Sequence, residues 1–281
     1  MEMKGILERI KWFESKYKED LEEKDRIKKK ETIYRIAFYL GEIFLRNGGQ
    51  THKLESMVYE LCKSQGFPHA NMYVTPTFLC IGDDRADGIT FIKSIKVRGL
   101  NLKRVALINN YYEDLLVREN INPKKALKIL KRIDRYSEFS DGQGILSLGL
   151  AAATFAKLLD ITMMEGVVTF VITIISTYIA NKFGKILTAG IFGTIIGCFF
   201  IGISSFFLAE YGYITSSHKI IIGSILPFLP GVAITKSIID LVYGDYISGG
   251  CRAIEAFLTA LSIGVGIGTA MDCWVKIGGK I

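Results

Sequence analysis

Two hydrophobic rhythms divide the chain near residue 142. Before it, apolar positions recur at helix or strand spacing among many charges; after it they run together. Residues 1–30 are about half charged, with Ile6, Ile10, Phe13, Tyr17 and Leu21 three and four apart, which predicts one apolar helix face. This charged amphipathic arm is expected to be solvated or partly disordered, with docking on a partner or membrane surface as the alternative. The Lys28–Lys30 run is expected on its solvated face. Ile33, Ile36, Ala37, Leu40 and Phe44 mark a second helix over 31–47, ended by Asn47-Gly48-Gly49. Thr51 is a candidate cap for a third, with Leu54, Met57, Val58 and Leu61 as its buried stripe and Gly66 and Pro68 as its stop. The period then changes. Residues 70–81 predict a strand with Pro76 at an edge or bulge, Gly82-Asp83-Asp84 a turn, 88–97 the returning strand and 102–108 a third. Residues 109–118 read as helix, and Asn122 with Pro123 opens another, reaching about Glu138. Ser140-Asp141-Gly142 reads as the exit. Residues 31–142 thus form a small α+β domain.

From 143 to 281 the pattern predicts an all-α helical membrane domain of about five spans: 144–160, 163–180, 186–209, 219–243 and 252–276. Each approaches the ~20 residues that cross ~30 Å of hydrocarbon, the first only marginally. The fourth is broken by Pro227 and Pro230-Gly231.

Charge sharpens the division. Residues 1–142 carry 27 of the 35 Lys+Arg and 21 of the 28 Asp+Glu. The first apolar run of membrane length starts near Gly144, so no secretory signal is expected. A basic first half without an export signal should stay in the cytoplasm. The Asn181–Lys185 and Val242–Cys251 loops are then inside, and the Ala209–Lys219 loop and C-terminus outside. That is a multi-pass plasma-membrane protein in a lipid bilayer. Basic membrane flanks explain the positive charge without nucleic acid. Cys62, Cys80, Cys198, Cys251 and Cys273 contain no CxxC pair, so buried reduced thiols are expected rather than disulfides or zinc. His52, His69 and His218 are too scattered for a metal, and no cofactor is implied. No nucleophile–base motif supports an enzyme.

The constellation that points to transport is the broken hairpin from Ile225 to Phe257. Proline interrupts helical bonding, and non-helical backbone at membrane depth survives only where it lines a cavity or is covered by protein. A half-helix starting near Val232 would direct its N-terminal N–H groups into the break and favour a carboxylate. Thr235, Lys236 and Asp240 follow at helical spacing, Lys236 and Asp240 as an i,i+4 pair. Asp245, Ser248 and Gly249-Gly250 form the tight loop, and Arg252 and Glu255 open the last span. The structural alternative is a kinked hairpin whose charges snorkel to water. Lys157, Asp160 and Glu165 are expected in a solvated loop with one salt bridge. Asn47 to His52, a Gly-rich turn into a helix, is either an anion site or a plain corner.

Three segments resemble the bacterial threonine/serine exporter family, most closely the larger subunit of its split form. They are residues 48–67, the MYVTPTFLCI stretch at 72–81 and, most specifically, 229–257. In the last, Pro230-Gly231, Thr235, Asp240, Gly244-Asp245, Ser248-Gly249, Arg252 and Glu255-Ala256 match the family's pattern. The resemblance covers about 30–277. It implies a secondary exporter of a small carboxylate-bearing substrate, either threonine/serine or a dicarboxylate such as succinate. It also implies a second, smaller membrane subunit, and it allows an oligomer. Lys236 departs from the family pattern and favours an anionic substrate or an internal salt bridge. The alternative is a membrane-anchored regulatory or scaffold protein acting through its cytoplasmic domain.

Overall fold

A computed structural model describes residues 2–83, 89–95, 99–118, 120–136, 140–187 and 190–279. The side chains of Ile6, Ile10 and Phe13 lie outside that description, as do Asp84, Gly88, Lys96, Val97 and Glu138. The chain divides into two compact units, one of Met1–Tyr136 with Tyr243–Ser248, the other of Ser137–Val242 with Gly249–Ile281.

The first unit is arranged around one helix. α1 runs from Glu2 to Arg46 without a break, joining the expected arm and second helix. Tyr17 and Leu21 are exposed, so the described part of the arm's apolar stripe covers nothing. From Lys30 onward the helix is buried on more than one face: Ile33, Tyr34, Ile36, Ala37, Leu40, Ile43 and Phe44 all sit in one core. Around it lie α2 (Thr51–Ser64), α3 (Leu102–Leu116), α4 (Pro123–Arg135) and an antiparallel sheet of order β1-β2-β3 (Ala70–Thr75, Phe78–Asp83, Phe91–Ser94). Charges on α1 tie it to these neighbours. Lys30 pairs with Asp83 of β2 at 2.5 Å, both side chains almost wholly buried, and the Tyr34 hydroxyl donates to the same carboxylate at 3.3 Å. Glu42 receives Lys93 of β3 at 2.7 Å, and Arg46 pairs with Asp134 of α4. Lys30 is therefore not on a solvated face, although Lys28 and Lys29 are.

Several expected boundaries move for local reasons. The single strand over 70–81 is a hairpin: Thr75 pairs with Phe78, so Pro76-Thr77 is its two-residue turn. Proline's fixed φ suits a turn and its missing N–H does not suit a ladder. Residues 102–108 are helical rather than strand. The Asn101 side chain caps α3 by accepting from the Arg104 N–H at 3.0 Å, and Val105, Ile108, Tyr112 and Leu115 keep a helical period. Asn122 caps α4 as expected, accepting from Lys125. Thr51 is the first residue of α2 rather than its cap; Gln50 precedes it without a side-chain capping bond.

The second unit is helical throughout its described residues: α5 (Asp141–Lys157), α6 (Met163–Ile186), α7 (Gly190–Glu210), α8 (Ser217–Ser224), a 3-10 turn (Leu226–Phe228), α9 (Gly231–Val242) and α10 (Tyr246–Lys276, whose N-terminal loop turn counts with the first unit). Ser140 caps α5 through a capping box with Gln143. The Asn181–Lys185 loop is instead the last turns of α6. Three helices, α6, α7 and α10, are long and apolar enough to cross a membrane, and α8 with α9 gives a fourth if the bent pair is one span. α5, at 17 residues, reaches only about 25 Å. Small residues bring the helices close. A Cβ on Gly193 would stand 2.4 Å from the Ala180 carbonyl oxygen, and one on Gly223 2.6 Å from the Ala156 Cβ. The buried hydroxyls of Thr169 and Thr173 on α6 donate to carbonyls one turn back, at 2.8 and 2.7 Å, so these two enter the interior already satisfied.

Lys30→Ala leaves the Asp83 carboxylate buried without its cation. The expected loss is about 3–5 kcal/mol of stability, and restoring part of it by the double change Lys30→Ala/Asp83→Ala is read by chemical denaturation. Burial pushes the Cys62 thiol up to about 12. Thiol alkylation at pH 8 should therefore spare Cys62 in the folded protein and reach it once urea unfolds α2.

Candidate functional site

The hairpin of α9 and α10 collects most of the charged residues in the second unit's interior. α8 and α9 meet at an angle of 54°. Pro227 lies in the 3-10 turn, and Pro230 stands immediately before α9, which begins at Gly231, one residue earlier than expected. The first helical bond there runs from the Ile234 N–H to the Pro230 carbonyl at 3.0 Å. The N–H groups ahead of it have no intrahelical acceptor.

Two turns further on, Asp240 is buried to 1% exposure of its side chain and accepts from the Arg252 Nε at 2.8 Å. Twelve residues separate them, so the bond closes the hairpin. The Ser237 hydroxyl adds a second closure, donating to the Gly249 carbonyl at 2.7 Å. Such closeness requires glycine: a Cβ on Gly249 would lie 2.6 Å from the Leu241 Cγ and 3.1 Å from its backbone nitrogen. Lys236, half-buried, lies within electrostatic reach of both Asp240 and Arg252. Lys236 and Arg252 thus both stand near one buried carboxylate.

Thr235, Asp245 and Ser248 make their described contacts elsewhere. Thr235 is exposed and donates to the Gly231 carbonyl at 2.9 Å. Glu255 lies on the exposed side of α10, and the Ser248 hydroxyl is buried without a partner. Asp245 belongs with the first unit, where it accepts from the Ser248 N–H at 3.1 Å and so caps α10. Nearby in that unit His52 stacks on Tyr243, ring centroids 4.0 Å apart, and Glu55 accepts from the Val74 N–H at 3.1 Å. Sequence reasoning weighed His52 only as part of a helix corner and as one of three histidines too scattered for a metal, and overlooked Glu55, because helical periodicity does not report which side chains a distant loop will meet.

Glu165 is the clearest correction. It is buried rather than in a solvated loop. Its carboxylate accepts from the Thr162 and Thr215 N–H groups at 2.8 and 2.7 Å, pinning the start of α6 to the segment before α8. The T-x-x-E spacing of Thr162 and Glu165 is a capping-box signature that could have revealed it. Lys157 and Lys219 donate to the backbone carbonyls of Ile161 and Asp160, at 2.7 and 3.1 Å. Among the described residues, no group of three or more His, Cys, Asp or Glu could hold a metal.

A family model described as "Putative threonine/serine exporter" matches residues 35–274. The chain belongs to this exporter family. It is accordingly a multi-pass membrane protein of a transporter family, and the matched region contains the broken hairpin and its ion pair. Searches of curated proteins and of solved structures each returned no match.

Gly249→Ala should spread the hairpin and lower the yield and melting temperature of the folded protein. Gly250→Ala, where a Cβ meets nothing within 4 Å, should leave both near wild type. Fluorescence-detected size exclusion with a thermal ramp distinguishes the two.

Proposed function

We propose that the chain is the larger membrane subunit of a secondary exporter that moves a small carboxylate-bearing metabolite out of the cytoplasm. The substrate is threonine, serine or a dicarboxylate such as succinate. The observation that carries the reading is the buried Asp240–Arg252 pair with Lys236 beside it, on a helix that starts afresh after a break. An ordinary anchor has no use for this. Charges in hydrocarbon are costly unless they face one another or a path for solute.

In this reading the start of α9 at Pro230-Gly231 offers N–H groups to the substrate carboxylate. Arg252, or Lys236, supplies the countercharge. Asp240 holds Arg252 while the site is empty and takes a proton when the substrate carboxylate displaces it, which couples export to an ion gradient. Ser248, Gly249 and Glu255 line the inner approach, with Asp245 at the loop. The α+β unit faces the cytoplasm and the C-terminus faces outward. A second, smaller membrane subunit completes the path. The apolar side chains that α9 and α10 leave exposed, among them Val232, Ile238, Ile254 and Phe257, meet that subunit or lipid.

Efflux of labelled threonine, serine and succinate from cells making the chain, with and without the partner subunit, tests the reading. Wild type should raise efflux of at least one of them. Asp240→Asn and Arg252→Gln should each lower it by roughly tenfold or more while still inserting, as expected when a buried charge loses its partner. Unchanged efflux for all three, or full activity in both variants, would instead favour a regulatory or scaffold role for the α+β unit.

A further inference from the structure

The first unit contains a cleft of about 800 Å³ whose lining comes entirely from that unit. One wall is the His52–Tyr243 stack at the start of α2; the other carries Tyr73 of β1. Three carboxylates reach it, from Glu55, Asp83 and Asp245, and among the described lining residues there is no lysine or arginine. Asp83 is neutralised by Lys30 behind it. Glu55 and Asp245 are not: each accepts one backbone N–H, from Val74 and Ser248, which leaves oxygen lone pairs over on each. The two are close enough for Asp245 to reinforce the effect of burial, which pushes the Glu55 carboxyl above its usual range against the pull of the Val74 N–H. The His52 Nδ1 is buried without a hydrogen-bond partner.

We propose that this cleft is a ligand site for the primary ammonium group of a small metabolite, an amino acid in the first instance. The sign of the lining decides the class. A phosphate or a dicarboxylate would meet carboxylates and, among the described lining residues, no cation. A divalent metal needs three or more clustered ligands, a grouping absent among the described residues. An ammonium finds what it needs: two carboxylates to accept its N–H donors and aromatic faces to take its charge. The volume suits a molecule of amino-acid size with its hydration. The site lies outside the membrane hairpin, so it goes beyond the transport reading and stands or falls separately from it. Tyr243, Gly244 and Asp245 lie within the chain segment, residues 241–251, that joins Asp240 to Arg252. A ligand gripped by Asp245 therefore acts on the residues that flank the buried ion pair, and the cleft senses or loads the metabolite.

Isothermal titration of the full-length protein in detergent with threonine, serine, putrescine and succinate tests this. The amines should bind saturably in a way that depends on the cleft carboxylates, and any succinate binding should not depend on them. Glu55→Gln and Asp245→Asn, which keep the backbone acceptor and the helix cap, should each weaken amine binding by roughly tenfold or more. Tyr243→Ala gives a second check on the aromatic wall, and melting curves confirm that each variant is folded. Absence of amine binding, amine binding that survives all the cleft variants, or succinate binding that the cleft variants weaken equally would overturn the cleft as the site.

Discussion

The Asp240–Arg252 ion pair is the constraint around which the membrane unit makes sense. A carboxylate and a guanidinium are each expensive to bury alone, and their attraction repays that cost only when the geometry is close. Here the bond is short, the partners are twelve residues apart, and the two helices that carry them are held at glycine distance by Gly249. The pair thereby fixes the register of α9 against the start of α10. It also keeps both charges in place behind a helix break. Its loss leaves one charge stranded, which explains why the hairpin needs both residues at once.

The same logic of paired burial runs through the first unit. α1 is a long helix whose inner half is buried nearly all round, so it can be anchored only by satisfying its few polar groups internally. Lys30, Glu42 and Arg46 do this through β2, β3 and α4 in turn. The described side chains of the outer half, Trp12 and residues 16–29, are exposed.

Much of this was legible from residue types and spacing. The break at Pro230-Gly231, the buried stripes of α1 and α2, the Asn122 cap and the apolar spans all follow from local chemistry. The misreadings came where local chemistry was ambiguous or where the deciding partner was far away. A Thr-Pro-Thr within a β-branched run looks like a strand with a defect until Thr75 is seen to pair with Phe78. Lys30 looks solvated because Asp83, its partner, is 53 residues on. The bond from Arg252 to Asp240 spans twelve residues, which helical spacing does not report. Asp245 was grouped with the membrane charges by proximity in the chain, yet it caps α10 and faces the cleft of the α+β unit. No periodicity could place it there.

A double-mutant thermal cycle on Asp240 and Arg252 tests the central claim most directly. If the pair is what closes the hairpin, Asp240→Asn and Arg252→Gln each lower the melting temperature of the purified protein, and the double variant melts above the less stable of the two. Singles that melt with wild type, or losses that simply add in the double variant, would contradict it.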